Sequence, residues 1–150
     1  EPGDDRLGWS RILNSSAGLA DKSNAFKIPH HGSSTSHHDG IWLHLLEANP
    51  AAFLSSFVQG DRILPKKADM RRILKHTDKV WITTNPYEKK KAYKRDSTVE
   101  RTIKETVKTI RSLSDRGQIR MRWDCQQQNS SWEVELLGSA IPLVKCLGQN

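Results

Sequence analysis

Apolar residues recur along this chain in two rhythms, and the rhythms divide it into alternating segments. Gly8, Trp9, Ile12 and Leu13 have helical spacing, and Asn14-Ser15-Ser16 with Gly18 stop the run. Residues 25–29 form a short apolar block that reads as a buried strand. After a polar loop, Asp39 stands where a helix cap is expected, ahead of Ile41, Trp42, Leu45 and Leu46, and Pro50 closes that predicted helix. Ala51 to Phe57 is predicted as a second strand, followed by a turn at Gln59-Gly60-Asp61. Pro65 fits the first turn of a helix whose inner face is Met70, Ile73 and Leu74. Val80 to Thr84 is a third predicted strand, closed by Asn85-Pro86.

The second half of the chain has the clearest periodicity. Ser97 and Glu100 form a capping-box pattern, and Val99, Ile103, Val107 and Ile110 then mark one face of a helix predicted over 97–112. Its other face carries Arg101, Lys104, Lys108 and Arg111. Next, Ile119, Met121 and Trp123 alternate with Arg120, Arg122 and Asp124, and Trp132, Val134 and Leu136 alternate with Glu133 and Glu135. Paired as a hairpin, these strands would set arginines opposite glutamates. Ile141-Pro142-Leu143-Val144 is an apolar tail that needs cover. Strand, helix, strand, helix, strand, long helix, hairpin is the order of an α/β chain.

The 150 residues suit one domain with one core. An apolar content of 35% is low for a self-sufficient globule, and the five tryptophans offset part of that deficit. No run approaches the roughly 18–20 apolar residues of a membrane-spanning helix, and no signal peptide is visible. The chain begins at Glu1 rather than at methionine, which predicts a processed piece or a fragment of something longer. Cys125 and Cys146 belong to no Cys-x-x-Cys pair and read as free thiols of a cytoplasmic protein. Much of the net charge of +7 sits in Lys89, Lys90, Lys91, Lys94 and Arg95, with Tyr93 among them. Such a run either grips nucleic acid or another phosphate-bearing or acidic partner, or is a solvated loop.

The chemistry concentrates in Phe26-Lys27-Ile28-Pro29-His30-His31-Gly32-Ser33. Two adjacent imidazoles at the end of a strand are well placed to hold a transition metal. Gly32 permits the tight turn that lets both rings project. Ser33 or Ser34 is positioned to bond the ring nitrogen that does not ligate, fixing the tautomer. Two histidines do not complete a zinc site, which needs three protein ligands. Of the other histidines, His37 and His38 lie close to the motif, where they either line a site or face solvent. His44 and His76 read as structural.

The Pro-His-His-Gly-Ser loop resembles that of the metallo-β-lactamase-fold hydrolases, in the branch that includes the hydrolase domain of DNA-uptake competence proteins. The likeness runs from about Gly8 to Leu137. It includes the Asn49-Pro50 step into a strand, the Leu64-Pro65 start of a helix, and the Val80–Thr84 and Gly117–Trp123 segments, in the same order. In that family two metals are gathered by a His-x-His-x-Asp-His motif, a further histidine, a bridging aspartate and a late histidine supplied by this loop. The chain contains no His-x-His-x-Asp-His, so the resemblance is to the C-terminal half of the αββα sandwich. It implies an N-terminal half, on the same or a separate chain, that carries most of the ligands. It implies Zn2+ or Mn2+, dinuclear only with that half, and hydrolysis of a phosphoester such as a nucleic acid or nucleotide. His31, or else His30, would be the late ligand, and its neighbour a contact to substrate. The competing expectation is a non-catalytic module that binds nucleic acid or an acidic partner through Lys89–Arg95.

Overall fold

The structure is a computed structural model, and it describes residues 8–15, 21–88, 96–107, 117–126 and 131–148. Its centre is a four-stranded sheet. β1 (Ser23–Lys27) pairs in parallel with β2 (Leu46–Leu54), and β2 pairs in parallel with β5 (Val80–Ile82). β8 (Ile141–Pro142) closes the edge antiparallel to β5. Parallel neighbours need crossovers. The first runs through the motif loop and a single π-helical turn at Ile41–Leu45. The second runs through a short hairpin of β3 (Phe57–Gln59) and β4 (Arg62–Leu64), then α2 (Lys67–Ile73). α1 (Gly8–Ser15) precedes the sheet. α3 (Ser97–Thr106) and a hairpin of β6 (Gln118–Arg122) and β7 (Glu133–Leu137) lie between β5 and β8 in sequence. The α/β class expected from the alternation is observed.

Burial explains why these segments form the sheet. Ala52, Leu54, Val80 and Ile82 are almost fully buried, and Met70 and Ile73 of α2 pack on them with Ile28, Ile41, Trp42 and Leu46. Strands buried this way read as continuous apolar runs. The tail at 141–144 finds its cover within the chain. Ile141 and Pro142 extend the sheet, and the turn after them (Leu143–Cys146) buries Leu143 and Cys146 in the same core. Cys125 is exposed, and both cysteines are free thiols. Burial pushes the Cys146 thiol up to about 11, with the nearby Glu88 charge adding to the shift.

Several expectations shift. The helix predicted from Ile41 to Pro50 is one π-helical turn, and the chain becomes strand at Leu46. The strand absorbs Pro50 through an irregularity. Ser23 pairs with Leu46 and Ala25 with Ala51, so Glu47–Pro50 bulge away, with Asn49 at φ 54°. Pro65 precedes α2 rather than opening it, and Lys66 occupies the cap, with Asp69 accepting its N–H. The cap of α3 is Asp96, one residue before the expected serine, with its carboxylate accepting the Thr98 N–H at 2.8 Å. The helix ends at Thr106, where Val107 is extended, short of the expected residue 112, and Lys108, Ile110 and Arg111 lie outside the described residues. Val99 and Val107 are 48% and 45% exposed, so periodicity located this helix without identifying what covers it.

The β6–β7 hairpin has the expected register. Arg120 faces Glu135, and Arg122 faces Glu133. Their charged atoms lie 2.9 and 3.7 Å apart, and Arg122 also reaches Glu135 at 3.4 Å. These pairs are solvent-exposed and contribute a few tenths of a kcal/mol each, roughly. Their effect is on register more than on stability. The hairpin follows Gly117, where a Cβ would collide with the Thr83 carbonyl oxygen. Only glycine allows β6 to start so close to the end of β5.

Candidate functional site

The motif loop leaves the carboxyl end of β1 beside the carboxyl end of β2, where ligands gather in open parallel sheets. It is a tight structure. The Gly32 N–H donates to the Pro29 carbonyl at 2.9 Å, and the Ser33 N–H to the His30 carbonyl at 3.1 Å. His30, His31 and Gly32 all have positive φ, at 47°, 55° and 77°. Two consecutive non-glycine residues in this region are uncommon, and such strain persists only where the surroundings hold it in place. Two contacts do so here. Gly32 packs so closely that a Cβ would meet Leu54 Cδ1 at 2.9 Å and Ile73 Cδ1 at 3.0 Å. The Arg72 guanidinium, paired with Asp69 at 2.7 Å, donates to the Gly32 carbonyl at 2.8 Å.

This bracing turns the two histidines outward into an open cleft of about 180 Å3, shared with Ser33, Thr35, Phe57, Arg62 and Leu64. His30 is exposed. His31 is half-buried, with its ring 5.2 Å from that of Phe57. Its Nδ1 lies 3.1 Å from the Ser55 carbonyl oxygen and 3.1 Å from the Ser55 hydroxyl. The Ser55 hydroxyl can donate and suits either tautomer, whereas a carbonyl oxygen only accepts, so that contact favours a proton on Nδ1 and the lone pair on Nε2. This is the arrangement in which backbone carbonyls hold metal-ligating imidazoles. The ring contact expected of Ser33 or Ser34 is made here by Ser55. Ser33 instead accepts the Thr35 N–H and lies 3.0 Å from the Thr35 hydroxyl, while Ser34 is exposed and its carbonyl accepts the His37 N–H. Lys89, Lys90, Lys91, Lys94 and Arg95 lie outside the described residues.

Beyond the motif the same loop forms a second cluster. His37 Nε2 donates to Asp39 Oδ1 at 2.9 Å, and His76 Nε2 lies 3.5 Å from the same oxygen. These three residues are brought together by the fold, with ligand-capable atoms within 4.8 Å of one another. Asp39 therefore does not cap the following turn, whose preceding residue is Gly40 with no side-chain cap. The hydrogen bond from His37 holds the Asp39 carboxyl below its usual range. Burial lowers the His76 pKa, as does the charge of His37, against an opposing pull from Asp39. His38 faces elsewhere, with Nδ1 accepting the Gly40 N–H at 3.1 Å. His44 is exposed on the π-helical turn.

Aromatic packing positions this cluster. The Trp42 ring stacks on His76 at 4.6 Å and 8°, Phe26 meets Trp42 edge-on, and Trp9 meets Phe26 edge-on. The Trp9 indole N–H donates to the Ser36 carbonyl at 3.0 Å, fixing the backbone just before His37. Sequence reasoning missed Asp39 and His76 as partners. The His37-x-Asp39 spacing was a local signal, but nothing local pointed to His76.

Comparison with family models, curated proteins and solved structures gave no match. No described helix is long and apolar enough to cross a membrane.

Proposed function

We propose that this chain is the distal part of a metal-dependent hydrolase of the metallo-β-lactamase type, acting on a phosphoester, with His31 as one metal ligand. The observation that carries the reading is the bond from His31 Nδ1 to the Ser55 carbonyl at the carboxyl ends of β1 and β2. With the proton on Nδ1, Nε2 is a lone-pair donor at the end of a strand. The donor fits a zinc or manganese site, and the remaining ligands belong to the N-terminal half that the motif resemblance implies. When bound, such an ion supplies Lewis-acid activation of water and of a phosphoryl oxygen.

The chain's own residues do the rest of the work. The Ser55 carbonyl favours the proton on Nδ1, and Phe57 walls the ring on one side. Arg72 and the packing under Gly32 hold the loop in its strained form, so the imidazole is aimed before any ligand arrives. His30 and Thr35 line the cleft as contacts to substrate. Arg62 brings a permanent positive charge to the same cleft, which favours an anionic phosphoester over a neutral ester.

The test is hydrolysis of bis(p-nitrophenyl) phosphate by the assembled protein that contains this chain, supplied with Zn2+ or Mn2+. His31→Ala is expected to lower kcat/KM by at least about a hundredfold, since it removes a ligand outright. Arg62→Ala is expected to raise KM with a smaller change in kcat. A His31→Ala protein that hydrolyses the diester at the parent rate overturns the proposal.

A further inference from the structure

The cluster on the far side of the motif loop plays no part in the reading above, and its donors are those of a metal centre. We propose that His37, Asp39 and His76 bind a single divalent transition-metal ion, zinc by preference, at a site separate from the His31 cleft, and that this ion clamps the motif loop to the end of α2. Two imidazoles and one carboxylate form an established zinc donor set, with a fourth position open to water. They are poor partners for calcium or magnesium, which favour oxygen throughout.

The spacing is already close to what an ion requires. Zinc–nitrogen and zinc–oxygen bonds of about 2.0–2.2 Å at tetrahedral angles set ligand atoms about 3.3 Å apart. The corresponding separations from Asp39 Oδ1 are 2.9 Å to His37 and 3.5 Å to His76. Both lie within a few tenths of an ångström of that distance, and the two imidazole nitrogens lie within 4.8 Å of each other, so the rings close toward the ion on binding. In the metal-free chain the His37 Nε2–H points at the carboxylate. The ion takes the place of that proton, which passes to Nδ1 or to water, so binding competes with protons.

The neighbours narrow the assignment to these three side chains. The lone pair of His38 Nδ1 is engaged by the Gly40 N–H, which leaves Nε2 protonated. Stacking on Trp42 sets the plane of His76, and the Trp9 bond to Ser36 sets the approach of His37. Asp39 is 74% exposed, while the His37 and His76 side chains are 16% and 23% exposed. The carboxylate is thus the entry side, with the imidazoles held beneath it. The consequence lies in the connection made. His37 and Asp39 follow the motif loop directly, and His76 lies just beyond α2, so an ion there ties the loop to the helix that carries Arg72.

The experiment is titration of the 150-residue chain with Zn2+ by calorimetry and with Co2+ by visible absorption, alongside Asp39→Asn, His76→Gln and His31→Ala. The expected result is one ion per chain, with low-symmetry Co2+ bands that arise from a nitrogen–oxygen site. Asp39→Asn and His76→Gln should each weaken binding at least tenfold and remove the bands. His31→Ala should leave the affinity within twofold. Should His76→Gln unfold the chain by freeing Trp42, the exposed Asp39→Asn change carries the test alone, with circular dichroism confirming its fold. Absence of binding by the parent chain, unchanged affinity in Asp39→Asn, or loss of the ion in His31→Ala overturns the proposal. This outcome is independent of the hydrolysis assay, since His31→Ala is silent here and decisive there.

Discussion

The two histidine clusters hang on one loop but are built in opposite ways. His31 is placed by a strand end, a strained turn and one backbone carbonyl just past the adjacent strand, all signalled near its own motif except that carbonyl. The other cluster is placed by tertiary structure, with His37 and Asp39 on the loop and His76 beyond the next helix. The first has a well-prepared donor and a cleft, yet its imidazoles belong to no group of three donors among the described residues. The second has three donors together and an aromatic wall. Preparation and completeness are therefore separable properties. A motif in sequence advertises the first, and only the folded chain reveals the second.

The comparison breaks most severely at Gly32, because both clusters depend on the loop it seats. Gly32→Ala forces a side chain into positive φ and against Leu54 and Ile73. A loss of roughly 2–4 kcal/mol is expected in urea denaturation, from strain and overpacking together. Ion binding at the second cluster should weaken with it. A change below about 0.5 kcal/mol would mean that the loop is not seated as described.

Arg72→Met tests the shared brace more selectively. It frees the Gly32 carbonyl and leaves Asp69, 4% exposed, without its cation. The expected cost is about 1.5–3 kcal/mol, from a buried carboxylate that loses its charge partner. The Asp69 bond to the Lys66 N–H remains and keeps the helix start intact. Loss of the His31 tautomer in this variant would sharpen the account, since it would show that the brace acts at a distance.

The pH dependence separates the clusters. The pKa of His76 is lowered in the folded chain, so the unfolded chain binds more protons near its ordinary value of 6.5. Stability then rises with pH through that range and is lost as the solution is acidified below it. The lowered pKa of Asp39 acts in the same direction at lower pH, with its contribution present above about 3.9 and lost as pH falls through the folded value. Thermal melts of the metal-free chain should show Tm falling as pH drops from about 7.5 to 5.5. His76→Gln should flatten that slope, and an unchanged slope would contradict the cluster's electrostatics. Smallest of all is Ser55→Ala. The carbonyl that orients His31 stays in place, so a stability change within about 0.5 kcal/mol is expected.

Much of the architecture was legible because burial leaves a periodic trace. The strands at β1, β2 and β5, the face of α2, and the Arg–Glu register of β6 and β7 all follow from spacing alone. The early start of β2 was hidden because Leu45 and Leu46 fit a helical face as well as a strand, and the bulge at Glu47–Pro50 carries no apolar rhythm. The motif histidines stood out because a strand, a proline and a glycine frame them. Ser55 did not, because its decisive atom is a backbone carbonyl, which every residue has. His76 was read as structural because its partners are contributed by the preceding crossover. Long-range contacts of this kind leave no mark in a window of neighbouring residues.

The most direct test of the central claim is the tautomer of His31, read from long-range proton–nitrogen NMR correlations on the metal-free chain near neutral pH. The expected spectrum places the proton on Nδ1 with Nε2 unprotonated, and His38 shows the reverse, with its proton on Nε2. A His31 ring protonated on Nε2 instead would mean that the Ser55 carbonyl does not hold it, and the metal-ligand role proposed for His31 would be contradicted.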